Sequence, residues 1–110
     1  MIQVTITKSP QANSAIAQLV DIKIEGHALE APYGHDIVCA AVSVLYEQLK
    51  AFLHGPEVSD DGKTVKLRTI TFDSGDKRMI QSFGLMISQL AKQYPDNLKL
   101  KLVNTDGGQR

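Results

Sequence analysis

The chain has 110 residues, 43% of them hydrophobic and 22% charged, the proportions of one small globular domain that buries about 65% of the surface its unfolded chain exposes. Twelve Lys and Arg balance twelve Asp and Glu, which excludes a large positive field that would hold nucleic acid through phosphate neutralisation alone. One cysteine cannot close an intramolecular disulfide, and Met1 to Lys8 alternates apolar and polar residues instead of forming a continuous apolar segment. The expectation is one cytoplasmic domain over 1–110, with no membrane span and no secretion signal.

Ile2, Val4 and Ile6 alternate with Gln3, Thr5 and Thr7, the period of two that predicts a strand with one buried face. Ser9 to Ser14 is rich in turn formers, and Leu19 to Glu25 resumes the alternation through Val20, Ile22 and Ile24. The two strands are expected to pair antiparallel across a long hairpin loop. From Asp36 the pattern turns helical. Ile37 to Leu45 is apolar on nearly every side, so this half of the helix should be wrapped by other elements. Leu45, Leu49, Phe52 and Leu53 continue a buried stripe, and Gly55-Pro56 stops it. His54 falls in the last turn, where an imidazolium would complement the carbonyl end of the helix dipole.

Asp60-Asp61-Gly62 signals a turn without requiring a hairpin, and Thr64 to Thr71 reads as a third strand with Val65 and Leu67 inward. A second helix is predicted from about Lys77 to Tyr94, with Met79, Ile80, Phe83, Met86, Ile87, Leu90 and Tyr94 on its apolar stripe and Pro95 ending it. Leu98, Leu100 and Leu102, separated by Lys99 and Lys101, give a fourth strand, and Asn104 to Arg110 a solvated tail. The order ββαβαβ implies an α+β fold: a four-stranded antiparallel or mixed sheet with two helices packed on one face.

The chemistry concentrates between Glu25 and Ser43. His27 closes the second strand and Cys39 lies near the start of the following helix, so a loop could bring the two together. A thiolate is stabilised by a helix N-terminus and by a neighbouring imidazolium, and His27 and Cys39 are placed to meet both conditions. The structural alternatives are equally concrete. A cysteine between Val38 and Ala40 can simply be packing, and Asp36, three residues before Cys39, can be an N-cap.

Gly26-His27-Ala28 followed by Gly34-x-Asp36-Ile37-Val38-Cys39-Ala40-Ala41-Val42-Ser43 resembles the bacterial ribosomal-processing cysteine protease family Prp. The His-to-Cys spacing of twelve residues, the element order and the length agree with it. The resemblance implies a homodimeric endopeptidase that removes a short N-terminal extension from a large-subunit ribosomal protein. By the same carry-over Cys39 is the nucleophile, His27 its general base, Asp36 the family's acidic position and Ser43 its helix serine. The chain departs from the family pattern at Leu29 to Tyr33, which leave Gly34 as the one glycine of the connecting loop.

Cys39 is expected to attack the scissile carbonyl, His27 to take the thiol proton and return it to the departing amine, and water to hydrolyse the thioester. Free N–H groups of the first helical turn, around Cys39, would meet the oxyanion. Gly26, Ala28, Leu29, Tyr33 and Gly34 border the substrate in this reading, with 28–34 a lid hinged at Gly34. Three histidines and one cysteine show neither HxxxH nor CxxC spacing, so no metal site or cofactor is expected. The rival class is a non-enzymatic ribosome- or RNA-binding module using Lys66, Arg68, Lys99 and Lys101, which a solvated sheet face explains equally. In the protease reading no direct nucleic-acid contact is expected.

Overall fold

The structure is a computed structural model that describes residues 1–10, 17–26 and 33–105, and within the first helix the side chains from 37 onward. The elements run β1 (Ile2–Pro10), β2 (Gln18–Glu25), α1 (Tyr33–Phe52), β3 (Glu57–Asp60), β4 (Thr64–Thr71), α2 (Ser74–Gln93) and β5 (Leu98–Asn104). They form one five-stranded sheet in the order β3-β4-β2-β1-β5. The four alternating segments are strands, so the α+β class stands. The sheet has one strand more than the sequence pattern predicts.

That strand, β3, is exposed along its whole length, so it carries no alternation to read. A charged, short edge strand is also how sheets discourage pairing with other chains. The turn signal at Asp60-Asp61-Gly62 closes a hairpin after all. Gly62 N–H donates to Asp60 Oδ1 at 2.9 Å, and Lys63 and Thr64 N–H donate to Asp61 Oδ1 at 2.9 and 2.7 Å. The Thr64 bond, followed by that of Lys63, holds the Asp61 carboxyl below the usual range. Gly62 takes φ +88°, a conformation open chiefly to glycine.

The sheet is mixed. β1 pairs antiparallel with β2, β2 with β4 and β3 with β4, whereas β5 lies parallel to β1 with Leu100 beside Val4. A parallel neighbour requires a crossover, which α2 supplies. Ile2, Val4, Ile6, Val20, Ile22, Ile24, Val65, Leu67 and Leu98 all turn to the helix side and are buried with Val38, Val42, Leu49, Ile80, Phe83 and Ile87. The opposite face is polar, with Thr5, Thr7, Asp21, Lys23, Lys66 and Arg68 forming a shallow trough.

Both helices begin three residues earlier than their apolar periodicity suggests. In α2 the reason is Asp73, whose side chain accepts the Asp76 N–H at 2.7 Å as the N-cap. Asp76, only 4% exposed, is met by His54, whose Nδ1 lies 3.0 Å from Asp76 Oδ1 and 3.5 Å from Asp73 Oδ2. His54 therefore lies past the end of α1 and ties the following turn to the start of α2, a correction to its expected place in the last turn of α1.

The apolar stripes are also narrower than predicted. Ile37 and Val44 on α1, Phe52 at its end and Met86 on α2 are exposed, because helices packed on one sheet face leave their far sides to solvent, and Leu102 on the edge strand β5 is exposed as well. Asn104 belongs to β5, opposite Lys8, and the Thr105 N–H donates to the Lys8 carbonyl at 2.9 Å. The expected tail thus begins later, and residues 106–110 lie outside the described residues. Among the described residues no helix is long and apolar enough to cross a membrane.

Replacing the α2 cap tests this account of the helix start. Asp73→Ala should lower unfolding stability by about 1 kcal/mol in urea titrations, with the m-value unchanged.

Candidate active site

Val42, Ser43 and Tyr46 lie three, four and seven residues after Cys39, which places the four on one face of α1. That face lies over the ends of three strands, represented by Ile2 of β1, Ile24 of β2 and Val65 of β4, and among the described residues these seven line a cleft of about 30 Å³. The register explains the floor. Ile24 stands opposite Val4 on one side and Val65 on the other, so the strand that leads to His27 ends directly beneath the cysteine helix.

Cys39 is half-buried, neither sealed in the interior nor fully in water. Ser43 is largely exposed at the rim, whereas Tyr46 is 7% exposed. Among the described residues the Tyr46 hydroxyl has no hydrogen-bond partner. Burial, aided by the Glu47 and Asp60 carboxylates, pushes the phenol pKa up, so the group remains a neutral O–H donor. Lys50 Nζ stands 5.6 Å from the centre of its ring.

Tyr46 is the residue that sequence reasoning missed. A tyrosine inside an apolar helical stripe reads as core, and the position seven residues after the cysteine was the available signal.

Gly26 fixes the chain where β2 hands over to His27. Its φ is +80°, and a Cβ at this position would run into the Met1 carbonyl. Only a glycine lets the strand end turn this closely against the start of β1.

The early start of α1 changes the expected surroundings of the sulfur. With Tyr33 as the first helical residue, Cys39 sits in the second turn, and the unpaired N–H groups belong to about the first four residues, Tyr33 to Asp36. The N–H of Cys39 is therefore no free oxyanion donor while the helix is intact. Asp36 lies inside the first turn and is not the N-cap. Tyr33 and Gly34 are also helical, so the proposed hinge at Gly34 is part of α1. His27, Ala28, Leu29 and the rest of 27–32 lie outside the described residues, as do the side chains of Tyr33, His35 and Asp36.

Elsewhere, among the described residues, His54, Asp73 and Asp76 each bring one possible metal-ligand atom within 4.8 Å of the others. Their mutual hydrogen bonds and the α2 cap already account for this grouping. The four basic residues of the RNA-binding reading are divided. Lys66 and Arg68 are on β4 and Lys99 and Lys101 on β5, with β2 and β1 between. Arg68 is bound to Asp21 at 2.7 Å.

The sequence model of the family described as Cysteine protease Prp matches residues 1–99. The chain belongs to this family. A Prp relative, the ribosomal processing cysteine protease of Staphylococcus aureus, is 28% identical over 108 residues, covering 91% of this chain and 97% of its own. The fold matches the crystal structure of a Streptococcus mutans protein with a TM-score of 0.75 at 30% identity, covering 96% of this chain and 99% of the other. It also matches the essential ribosomal processing protease Prp of S. aureus, solved with a substrate peptide, with a TM-score of 0.72 at 22% identity, covering 93% and 99%.

Prp membership makes the chain a cysteine protease and leaves the RNA-binding module unfavoured. Because the Gly26 turn holds the end of β2, Gly26→Ala should cost about 1–3 kcal/mol of stability through its strained φ. A urea titration showing no loss would refute the role given to this turn.

Proposed function

We propose that this chain removes the N-terminal extension of a large-subunit ribosomal protein by cysteine endopeptidase chemistry. It does so as a cytoplasmic homodimer whose catalytic domain spans 1–110. One observation carries the reading: the half-buried Cys39 and Ile24, the latter three residues before His27, line the same cleft. The substrate of the S. aureus relatives, as their names give it, supports the ribosomal target.

In this reading His27 takes the proton of the Cys39 thiol, and the sulfur attacks the scissile carbonyl carbon. The C–N bond then breaks as His27 returns its proton to the departing amine, and water hydrolyses the thioester. Helix-dipole stabilisation of a thiolate falls off beyond the first turn, so His27 carries more of the activation than it would beside a cysteine at the helix terminus. The first-turn N–H groups, Tyr33 to Asp36, are the free backbone donors of α1 available to developing negative charge. Asp36 and Ser43 complete the catalytic group with His27 and Cys39, and Gly26, Ala28, Leu29, Tyr33 and Gly34 border the bound peptide.

Incubation with the extended ribosomal protein, read by mass spectrometry, should give one N-terminal cleavage with the wild type and none with Cys39→Ala. His27→Ala should be slowed by at least about 10²-fold. Iodoacetamide treatment should abolish cleavage, and undiminished cutting by Cys39→Ala would remove the nucleophile assignment.

A further inference from the structure

Val65 is the β4 contribution to the cleft beside Cys39, and β3 is the outer neighbour of its strand. Its partner across that last ladder is Asp60. Directly opposed residues of an antiparallel pair project from the same face of the sheet, with Cβ atoms about 4.5–5.5 Å apart. Val65 is buried on the helix side, so the Asp60 side chain rises on that side too, at the outer rim of the cleft. Among the described residues no strand lies beyond β3, and Asp60 is exposed.

The electrostatics report the same neighbourhood. The phenol of Tyr46, which lines the cleft, has its pKa pushed up by burial first, then by Glu47, then by Asp60, so the Asp60 charge is felt at the cleft wall. Of the three carboxylates gathered here, two are occupied. Glu47 is paired with Lys50 at 3.2 Å. Asp61 accepts from the Lys63 and Thr64 N–H groups and feels the Lys63 charge. Asp60 accepts the Gly62 N–H at Oδ1 and, among the described residues, has no cation in ion-pair range.

The cleft follows α1 from Cys39 to Tyr46, seven residues or about 10.5 Å of helix, which an extended peptide covers in roughly three residues. A protein built into ribosomal RNA carries an excess of Lys and Arg, because neutralising phosphates is what holds it there. An open carboxylate on the rim matches such a chain in charge.

We infer that Asp60 is a specificity-determining residue that takes a Lys or Arg side chain of the substrate, within about four residues of the scissile bond, at the rim of the Cys39 cleft. The inference rests on the ribosomal-protein reading and deepens it. Aliphatic walls receive the segment next to the sulfur, and one carboxylate beside them selects a cation. Asp60 acts in binding and alignment, and the bond-breaking steps remain those of Cys39 and His27.

The test is steady-state cleavage of the extended ribosomal protein by the wild type, Asp60→Asn and, as a control, Glu57→Gln. Asparagine keeps an Oδ1 acceptor for the Gly62 N–H, and Glu57 lies on the same strand but on the opposite face, across from Arg68. Asp60→Asn should lower kcat/KM about two- to fivefold at about 50 mM salt, through KM with kcat unchanged, and the difference should vanish near about 500 mM. Glu57→Gln should match the wild type at both salt levels. Equal kcat/KM for Asp60→Asn and the wild type, or an equal loss in Glu57→Gln, would overturn the inference.

Substrate variants give a second decision that no enzyme variant's folding can obscure. Each Lys or Arg within about four residues of the cleavage point is changed to Gln, one at a time. One of these changes should slow the wild type by the same factor and leave the rate of Asp60→Asn unaffected, a coupling that a structural role for Asp60 does not produce. If no change slows the wild type, or if both enzymes lose equally, the inference is refuted. Should the wild type leave the extended protein intact, the ribosomal reading falls and takes this inference with it, whereas clean cutting without the Asp60 coupling removes this inference alone.

Discussion

Packing of one face of α1 on the aliphatic ends of β1, β2 and β4 is the interaction on which the site depends. Val4, Ile24 and Val65 are held side by side in the sheet register, with Ile2 two residues along β1, and Val38, Val42 and Leu49 bury against the surface these strands form. A well-packed apolar surface has few ways to shift, because displacing a helix opens voids that cost free energy. Cys39 and Tyr46 ride on the same face as these core residues. Their positions relative to the end of β2 are therefore fixed by burial rather than by direct bonds between them.

That arrangement places Cys39 at the margin of the core. The residue is half-buried, close enough to aliphatic side chains that a nearby hydrogen-bond donor counts for more than it would in bulk water. The start of α1 at Tyr33 sharpens the point. Placing the cysteine in the second turn gives up part of the dipole stabilisation available at a helix terminus.

The sheet edges show a similar division of labour. The β3–β4 hairpin is held by carboxylate-to-backbone bonds at Asp60 and Asp61 and by the positive φ of Gly62, not by a buried face. At the other side β5 joins as a parallel strand after α2 crosses the sheet. α2 in turn is anchored at its start by Asp73 and Asp76, with His54 reaching from the end of α1. Polar contacts thus set where α2 begins, and apolar contacts set which faces meet.

The sequence by itself determined the alternating strands, the two helical stripes and the His27–Cys39 segment with its resemblance to Prp, because period, turn chemistry and residue spacing are local properties written along the chain. It could not announce β3, whose residues are exposed on both faces and so alternate in nothing. Nor could it mark the parallel placement of β5, since neighbour choice in a sheet is settled by what the crossover helix covers. The extra turn at each helix start was hidden for a related reason: Tyr33 to Asp36 and Ser74 to Asp76 bring no apolar repeat. Only the tertiary structure decided that Tyr46 belongs to the site. A tyrosine on an apolar stripe is indistinguishable from core until three strand ends are seen to form a small cleft with it and Cys39, and that closeness comes from packing across the fold.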